Sequence, residues 1–532
     1  MEEVEESVNF ITCAVWVPRG AAKENPDKVE VSKEDLARII AETKDNIEEL
    51  EEVNEEEYEA IENEASGTAA AGTSKRALRE DDTIDFDVRY QLKDYEEEED
   101  SEDKLKQLLQ LGSMAVHASN EEDPYVTLKD EEDDDDSEKE NHAILPSDNL
   151  IAVGHVEGEA AILEVYVYNE AASLYVHHDI LLPAVPLAME WLNYDPSDEQ
   201  LKPANLVAIG SMSPVIDVWD LDLVDSLEPA FSLGSKAKKK KKIPGVGHKK
   251  PVLSLAWNKH AEHVLASGSV DETVILWDMQ HGTVAQQLKS FEEKVQSLAW
   301  HHQESHGLAA GSCDGKVRIF DCRGEETCKT WKVDGEVECV LWDALSPVSY
   351  NCLASTDKGK VYLIDARQEK PLWTLDAHTE ACTGIVMSPK CPGCLVTISS
   401  DKTTKIWDIV GEAPALVEQR EPKLGTMTCL ASCPDLPFVF CMGGDNKKNN
   451  FKVWDIRESE KVRARFCGRV GLPADCDEME VENGTPNADP SAAPVSTQPQ
   501  PATSQAATAN PNPRPKFKKK KGGHLDRRRR RT

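Results

Sequence analysis

Between residues 247 and 278 the chain reads GHKKPVLSLAWNKHAEHVLASGSVDETVILWD, three apolar runs (VLSLAW, HVLASG, TVILWD) set apart by polar turns. Runs of strand-forming residues bounded by such turns predict consecutive antiparallel strands. The same pattern returns at residues 377–408. His378, Asp401 and Trp407 stand at the intervals of His248, Asp271 and Trp277, with 23 residues from His to Asp and 6 from Asp to Trp.

Gly-His, two strands, a turn Asp, then a strand ending Trp-Asp is the order of one WD blade. Inner runs of the same kind open other units at residues 252–257, 295–300, 337–342 and 427–432, and far earlier at 10–17 (FITCAVWV). Blade endings fall at residues 215–220, 274–278, 317–321, 361–365, 404–408 and 451–455, with a degenerate one, VYVYN, closing at Asn169. From Asp278 the terminal Asp recurs after 43, 44, 43 and 47 residues. The reading is all-β: a seven-bladed WD40 β-propeller of four-stranded blades, closed so that long sheet edges disappear. The longer interval of 58 from Asp220 to Asp278 is taken up by a Lys-rich loop, 236–247.

Residues 1–20 are expected to supply the inner strand of a blade whose partners, residues 149–156, 162–168 and 173–180, arrive only after residue 145. The alternative lays that strand along the last blade as an outer latch, leaving residues 461–467 outside. Residues 21–145 hold an amphipathic helix candidate followed by an acidic region. Ser32 is a plausible N-cap, with Leu36, Ile39, Ile40, Ile47, Leu50 and Val53 at helical spacing. Residues 146–468 carry the propeller, and 469–532 a tail.

Charge separates these parts. Of the net −38, residues 1–150 contribute −32, from 47 Asp and Glu against 15 Lys and Arg. Such segments cannot bury enough apolar surface to offset the entropy of ordering, so disorder is expected for the acidic stretch and for the tail. The N-terminus lacks the basic flank and apolar core of a signal peptide, and no run approaches a membrane span. The 14 cysteines lie scattered, unlike a secreted disulfide framework. The sequence therefore reads as a soluble intracellular protein without membrane contact. Cys391 and Cys394 form the only CxxC, without the second ligand pair that zinc requires. A turn between two strands is the simpler account.

His248, Asp271 and a nearby Ser267 or Ser269 can be drawn as a hydrolase triad. They equally form a hydrogen-bonded structural tetrad with Trp277, each polar group satisfied by the next. Recurrence at His378, Asp401 and Trp407 favours the brace, since an enzyme needs one triad and a scaffold needs a brace per blade. Blade four keeps Asp314 but has Phe291 and Phe320 where His and Trp would stand, so its polar chain is expected to be lost. Residues 311–316 fall short of a phosphate loop, and no GxGxxG, HExxH or GxSxG occurs. The pairs His177–His178 and His301–His302 are expected to point to opposite strand faces and not to ligate together. No catalytic residue, cofactor or metal site is predicted.

Two basic clusters are candidates for nuclear import or nucleic-acid contact: Lys238, Lys239, Lys240, Lys241 and Lys242, and Lys518, Lys519, Lys520, Arg528, Arg529 and Arg530. Without interleaved aromatics they suit non-specific RNA contact better than base readout. Ser137, in DDDDSEKE, and more weakly Ser101 suit an acid-directed kinase.

Several stretches then narrow the class. They include ITCAVWVPRGAAKENPDKVEVSKEDLARIIAE (11–42), DPYVTLKD (123–130), PSDNLIAVG (146–154), YVHHDILLPAVPLAMEWLNYDPS (175–197) and CPDLPFVF (433–440). With them the sequence resembles the periodic tryptophan protein 1 family over most of residues 11–460. Its tail after about residue 480 departs from that pattern. The resemblance implies a nuclear and nucleolar factor in ribosome production, associated with ribosomal-RNA transcription, chromatin at the ribosomal genes and large-subunit assembly. Expected partners are pre-ribosomal particles and histones or other basic proteins, met by a chain that is monomeric within larger assemblies. The alternative class is a substrate receptor for a ubiquitin ligase or a chromatin-modifying complex.

Overall fold

The computed structural model describes residues 8–29, 38, 143–169, 171–197, 203–236, 244–324, 327–411 and 413–472. Blade one is Asn9–Val17, Asn149–Glu157, Ala160–Tyr168 and Leu174–Leu182, and blade two is Pro186–Leu192, Leu206–Ser211, Ile216–Asp220 and Phe231–Leu233. Blades three to six each add four strands in chain order, starting at Val252–Trp257, Val295–Trp300, Val337–Trp342 and Gly384–Met387. Blade seven is Met427–Ser432, Val439–Gly444 and Phe451–Asp455. Every blade is an antiparallel meander, and in six of the seven the inner strand carries a register shift near its start, as between Val252 and Ser254. Such a bulge bends and twists the strand locally, which suits a strand that must curve around a central axis.

Blade seven departs from the four-stranded expectation. After Asp455 the chain makes a short 3-10 turn, Ile456–Glu458, and then helix α1, Glu460–Phe466. The reason is readable in EKVRARF, where Val462 and Phe466 are four apart and both buried, the spacing of one helix face and not of a strand. They pack beside Cys391, Cys394, Phe438 and Trp454, so α1 plugs the seam between blades six and seven. Arg465 and Arg469 then reach Asp408, the last residue of the blade-six WD strand, whose side chain is fully buried.

The core lies between blades more than within them. One cluster joins Val218 and Leu233 of blade two to Val252 and Trp277 of blade three. Another joins Ile11, Trp16 and Ile151 of blade one to Val439 and Cys441 of blade seven. Ring closure therefore depends on the N-terminal strand. It pairs along its length with Asn149–Glu157.

The long insertion is pinched at its base. Asp27–Lys28 runs parallel to Leu223–Val224, and the Ile144 amide donates to the Glu24 carbonyl at 2.8 Å. Arg38 forms a bidentate pair with Glu228 on the same rim. The Lys-rich loop is closed likewise by paired bonds between Ser235 and Val246. Lys238 to Lys242, Ser101, Ser137, Lys518 to Lys520 and Arg528 to Arg530 lie outside the described residues.

Candidate functional site

His248, Asp271 and Trp277 are brought together through Ser267. Trp277 Nε1 donates to Ser267 Oγ at 2.8 Å, and Ser267 lies 2.7 Å from His248 Nε2. His248 Nδ1 faces both Asp271 oxygens at 3.1 Å. With Ser267 donating to Nε2 and Nδ1–H donating to Asp271, every group in the chain is satisfied once. Asp271 also accepts from Thr273 Oγ1 and the Lys249 amide. Burial pushes the Asp271 carboxyl up, but the bonds from His248, Thr273 and Lys249 outweigh it and hold the group well below the usual range. Gly247, at φ +99°, lets the chain pass the indole, since a Cβ there would sit 2.5 Å from the Trp277 ring. Blade six repeats the arrangement with Trp407, Thr397, His378 and Asp401, at 3.1, 2.7 and 3.0 Å. There burial, opposed by hydrogen bonds from Thr403 and His378, leaves Asp401 at about 2. The His248 side chain is fully buried, and Ser267 is wedged between it and Trp277.

Blade four is rebuilt, which the sequence did not reveal. Arg318, on the third strand, turns inward and pairs bidentately with Asp314 at 3.1 and 2.5 Å, with both side chains only 4% exposed. Its guanidinium carbon lies 4.9 Å from the centre of the Phe291 ring. A cation over an aromatic face thus takes the histidine's role as partner of the turn aspartate, while Phe291 stands at the histidine's place in the sequence. Blade two shows the opposite outcome. Ile209 stands where Ser267 stands in blade three, and Trp219 Nε1 has no hydrogen-bond partner among the described residues.

A belt of tryptophans ends the inner strands: Trp16, Trp191, Trp257, Trp300 and Trp342. Trp300 Nε1 donates to the Ala256 carbonyl, Trp342 to that of Ala299 and Trp16 to that of Ala431, each at the same position of the preceding blade. The periodic signal was present in the inner runs, but only the structure shows that it staples neighbours together. Inner-strand hydroxyls add a second row, with Ser254 Oγ accepting the Leu298 amide and Ser297 Oγ the Val340 amide.

The seam between blades seven and one carries two polar clusters. Asp435 accepts from the Arg19 amide and from Asn149 Nδ2, and Asn149 Oδ1 accepts from Arg19 Nε. Toward the other end, His155 contacts Glu164 at 2.9 Å and Asn9 at 3.0 Å, with Tyr166 on Glu164 and Asn450 beside Asn9. The hydrogen bond to Glu164 raises the His155 pKa against the opposing effect of burial, and the charges of Glu164 and Glu157 add to it. A histidine whose folded pKa is raised contributes stability that is complete below its unfolded pKa of about 6.5 and is lost as pH rises through the folded value. The melting-point difference between the wild type and His155→Gln is therefore expected to be largest below about pH 6.5 and to shrink above it. A difference independent of pH would show that the histidine is not charged at this seam.

The expectation on the histidine pairs is adjusted, whereas Cys391 to Cys394 do form the turn between two strands. His177 and His178 do not splay to opposite faces; their Nδ1 atoms lie 2.8 Å apart, because the strand bulges between the partners of Val165 and Tyr166. Burial, then the His177 charge, drops His178 to about 4. His301 and His302 stack at 4.6 Å, having passed the end of the strand where alternation would apply. Cys391 and Cys394 sit beneath α1, where burial pushes the Cys391 thiol up to about 11. A cleft of about 600 Å³ between blades four and five holds Arg323, Lys329 and Arg367. Each is already engaged, with Asp321, the Ala366 carbonyl and Asp365 respectively, so the cleft offers no spare cation to a phosphate.

Antiparallel blades around one axis, Gly-His and Trp-Asp ends and buried relays define a WD-repeat β-propeller. Residues 240–456 match the family model of the Nucleolar protein 10-like N-terminal β-propeller domain. The chain is 38% identical to the periodic tryptophan protein 1 homolog of Drosophila melanogaster, over 88% of this chain and 98% of that protein. It is 30% identical to periodic tryptophan protein 1 of Saccharomyces cerevisiae, over 86% and 90%. A WD repeat-containing protein of Schizosaccharomyces pombe matches at 34% over 87% and 92%. The chain belongs to the periodic tryptophan protein 1 family.

Proposed function

We propose that the protein is a non-enzymatic nucleolar scaffold in ribosome production, whose acidic insertion recruits basic partners such as histones or ribosomal proteins. Family membership over nearly the whole of the fly relative supports this most directly, and the propeller's match to a nucleolar protein's domain agrees with it. The geometry is consistent. The Asp–His–Ser set of blade three recurs in blade six as Asp–His–Thr, and in both the hydroxyl is held by a buried indole, Trp277 or Trp407, as a structural brace would be. Residues 30–142 hold 40 Asp and Glu against 12 Lys and Arg, and both ends are tied at one rim. So large a single-sign field favours encounter with cationic proteins. Roles in ribosomal-RNA transcription and ribosomal-gene chromatin belong to the same reading.

Affinity purification from nuclear extract tests it, with residues 30–142 replaced by a short Gly/Ser linker in a second bait. Wild type should recover pre-ribosomal particles or ribosomal-gene chromatin, and the linker bait should lose the basic partners while melting unchanged. Stoichiometric ubiquitin-ligase subunits without ribosomal material would replace this reading with the substrate-receptor one. Within the insertion, Ser137→Glu should bind histones more tightly than Ser137→Ala at low salt, with the gap closing as ionic strength rises. Equal binding by the two, or binding indifferent to salt, removes the acidic region from recruitment.

A further inference from the structure

A groove of about 400 Å³ runs between blades five and six, on the face where the inner strands end in tryptophan. Its walls are apolar: Leu363, Leu372, Trp373, Ile409 and Val410. Leu372 is 45% exposed and Val410 57%. Its polar groups are few and acceptor-rich. Asp343, just after Trp342, and Asn351, the first residue of the following strand, both line the groove and are 7% and 8% exposed. Asp343 Oδ1 and Asn351 Oδ1 are buried with no hydrogen-bond partner. The Asn351 amide is oriented by its Nδ2, which donates to Ser346 Oγ at 3.1 Å. No lysine or arginine lines the groove. Arg469, at the rim, is spent on Asp408 and on the Pro392 carbonyl.

Two buried acceptor atoms of unequal charge, Asp343 Oδ1 and Asn351 Oδ1, lack a partner although the Asp343 carboxylate also faces the Leu345 and Ser346 amides, and within an apolar trough they specify their complement. A buried polar group without a partner costs free energy that a donor from a ligand would recover. The donor must be cationic to suit Asp343, must serve two acceptors at once, and must sit on a chain whose flanks are apolar. Guanidinium meets the first two demands better than ammonium, because its planar fork presents several N–H groups in fixed directions. We propose that this groove binds a short segment of a partner protein containing one arginine flanked by large apolar residues. The guanidinium donates to Asp343 and Asn351, and the flanking side chains cover Leu372, Trp373 and Val410. This surface goes beyond the scaffold reading, which assigns recruitment to the acidic insertion, and does not depend on it.

The test is selection of random dodecapeptides displayed on phage against the full chain, with Leu372→Asp protein as the counter-target. Peptides enriched on the wild type should carry an arginine between apolar residues. Synthesised, they should lose at least tenfold in affinity toward Leu372→Asp and Asp343→Asn, and on replacement of their arginine by citrulline. Leu372 is surface-exposed, so its variant should melt as the wild type does. Asp343 accepts the Leu345 and Ser346 amides, bonds that Asn can also accept. No enrichment over the counter-target overturns the proposal, as do enriched peptides without a basic residue or affinity indifferent to citrulline. Displacement by a synthetic peptide of residues 513–532 would also overturn it, giving the groove to the protein's own tail. None of these outcomes bears on recovery of ribosomal material by the acidic insertion, so the two readings fail separately.

Discussion

Removing residues 1–20 is expected to leave no cooperatively folded ring. The strand Asn9–Val17 is the innermost of its blade, and Ile11, Trp16 and Val17 are 0%, 5% and 0% exposed. At about 1.5–3 kcal/mol per fully buried large side chain, these three supply roughly 5–9 kcal/mol. That is comparable with the whole stability of an ordinary domain, about 5–15 kcal/mol. The loss is not confined to one blade. Trp16 and Thr428 join the two ends of the ring through Ala431 and Ile11, and Asp435 holds the turn after the strand. Differential scanning calorimetry of the truncated chain decides the matter. A transition at the wild-type temperature and enthalpy would mean that the ring closes without this strand.

The second large effect is expected at Arg318. Truncation to Ala leaves Asp314 buried beside Phe291 without its bidentate partner, and breaking a buried ion pair from one side costs about 3–5 kcal/mol. Replacing both partners by apolar residues of similar volume, Arg318→Met with Asp314→Leu, should recover most of that, since such swaps are often close to neutral. Denaturant unfolding of the two single variants and the double closes the cycle. A single-variant cost under about 1 kcal/mol would be that of a solvated surface pair and would dismiss blade four's substitute brace. Because Arg318 takes the histidine's role as partner of the turn aspartate, the comparison also measures what one relay is worth to the fold.

Much of the ring was legible because its periodic positions are chemically extreme. His248, Asp271 and Trp277 are rare choices whose spacing survives any strand boundary error, and their recurrence at blade six as His378, Asp401 and Trp407 made the unit visible. The terminal aspartates did the same for blades of weaker signature. What escaped was non-local. Arg318 sits in a strand as one charged residue among several, and only the fold shows that it faces Phe291 and not solvent. The fourth strand of blade seven was assumed from symmetry, although Val462 and Phe466 already carried helical spacing. Opposite orientation of His177 and His178 followed from strand alternation, which a bulge cancels. The groove between blades five and six had no linear signature, since its acceptors and its walls come from two blades.

The place of the first strand also sets a timetable for synthesis. Its bonds to blade seven join residues 415 and 417 positions apart. At about 5–20 residues per second, the ribosome needs roughly 20–80 s to deliver the far side of that seam. Until then the strand FITCAVWV, whose Ile11, Trp16 and Val17 are buried in the finished ring, waits with its blade-seven face uncovered. Its own blade cannot relieve it soon, because the strand Asn149–Glu157 follows only after the 113 residues of the insertion. Contacts so distant in sequence make for slow folding, and unpaired apolar strands are where nascent chains aggregate. The hazard of this architecture therefore falls on the newborn chain rather than the mature ring. A pulse-labelled chain released early should be captured by chaperones through its first twenty residues, and the negative charge of residues 30–142, which emerges after that strand, helps to hold neighbouring nascent chains apart.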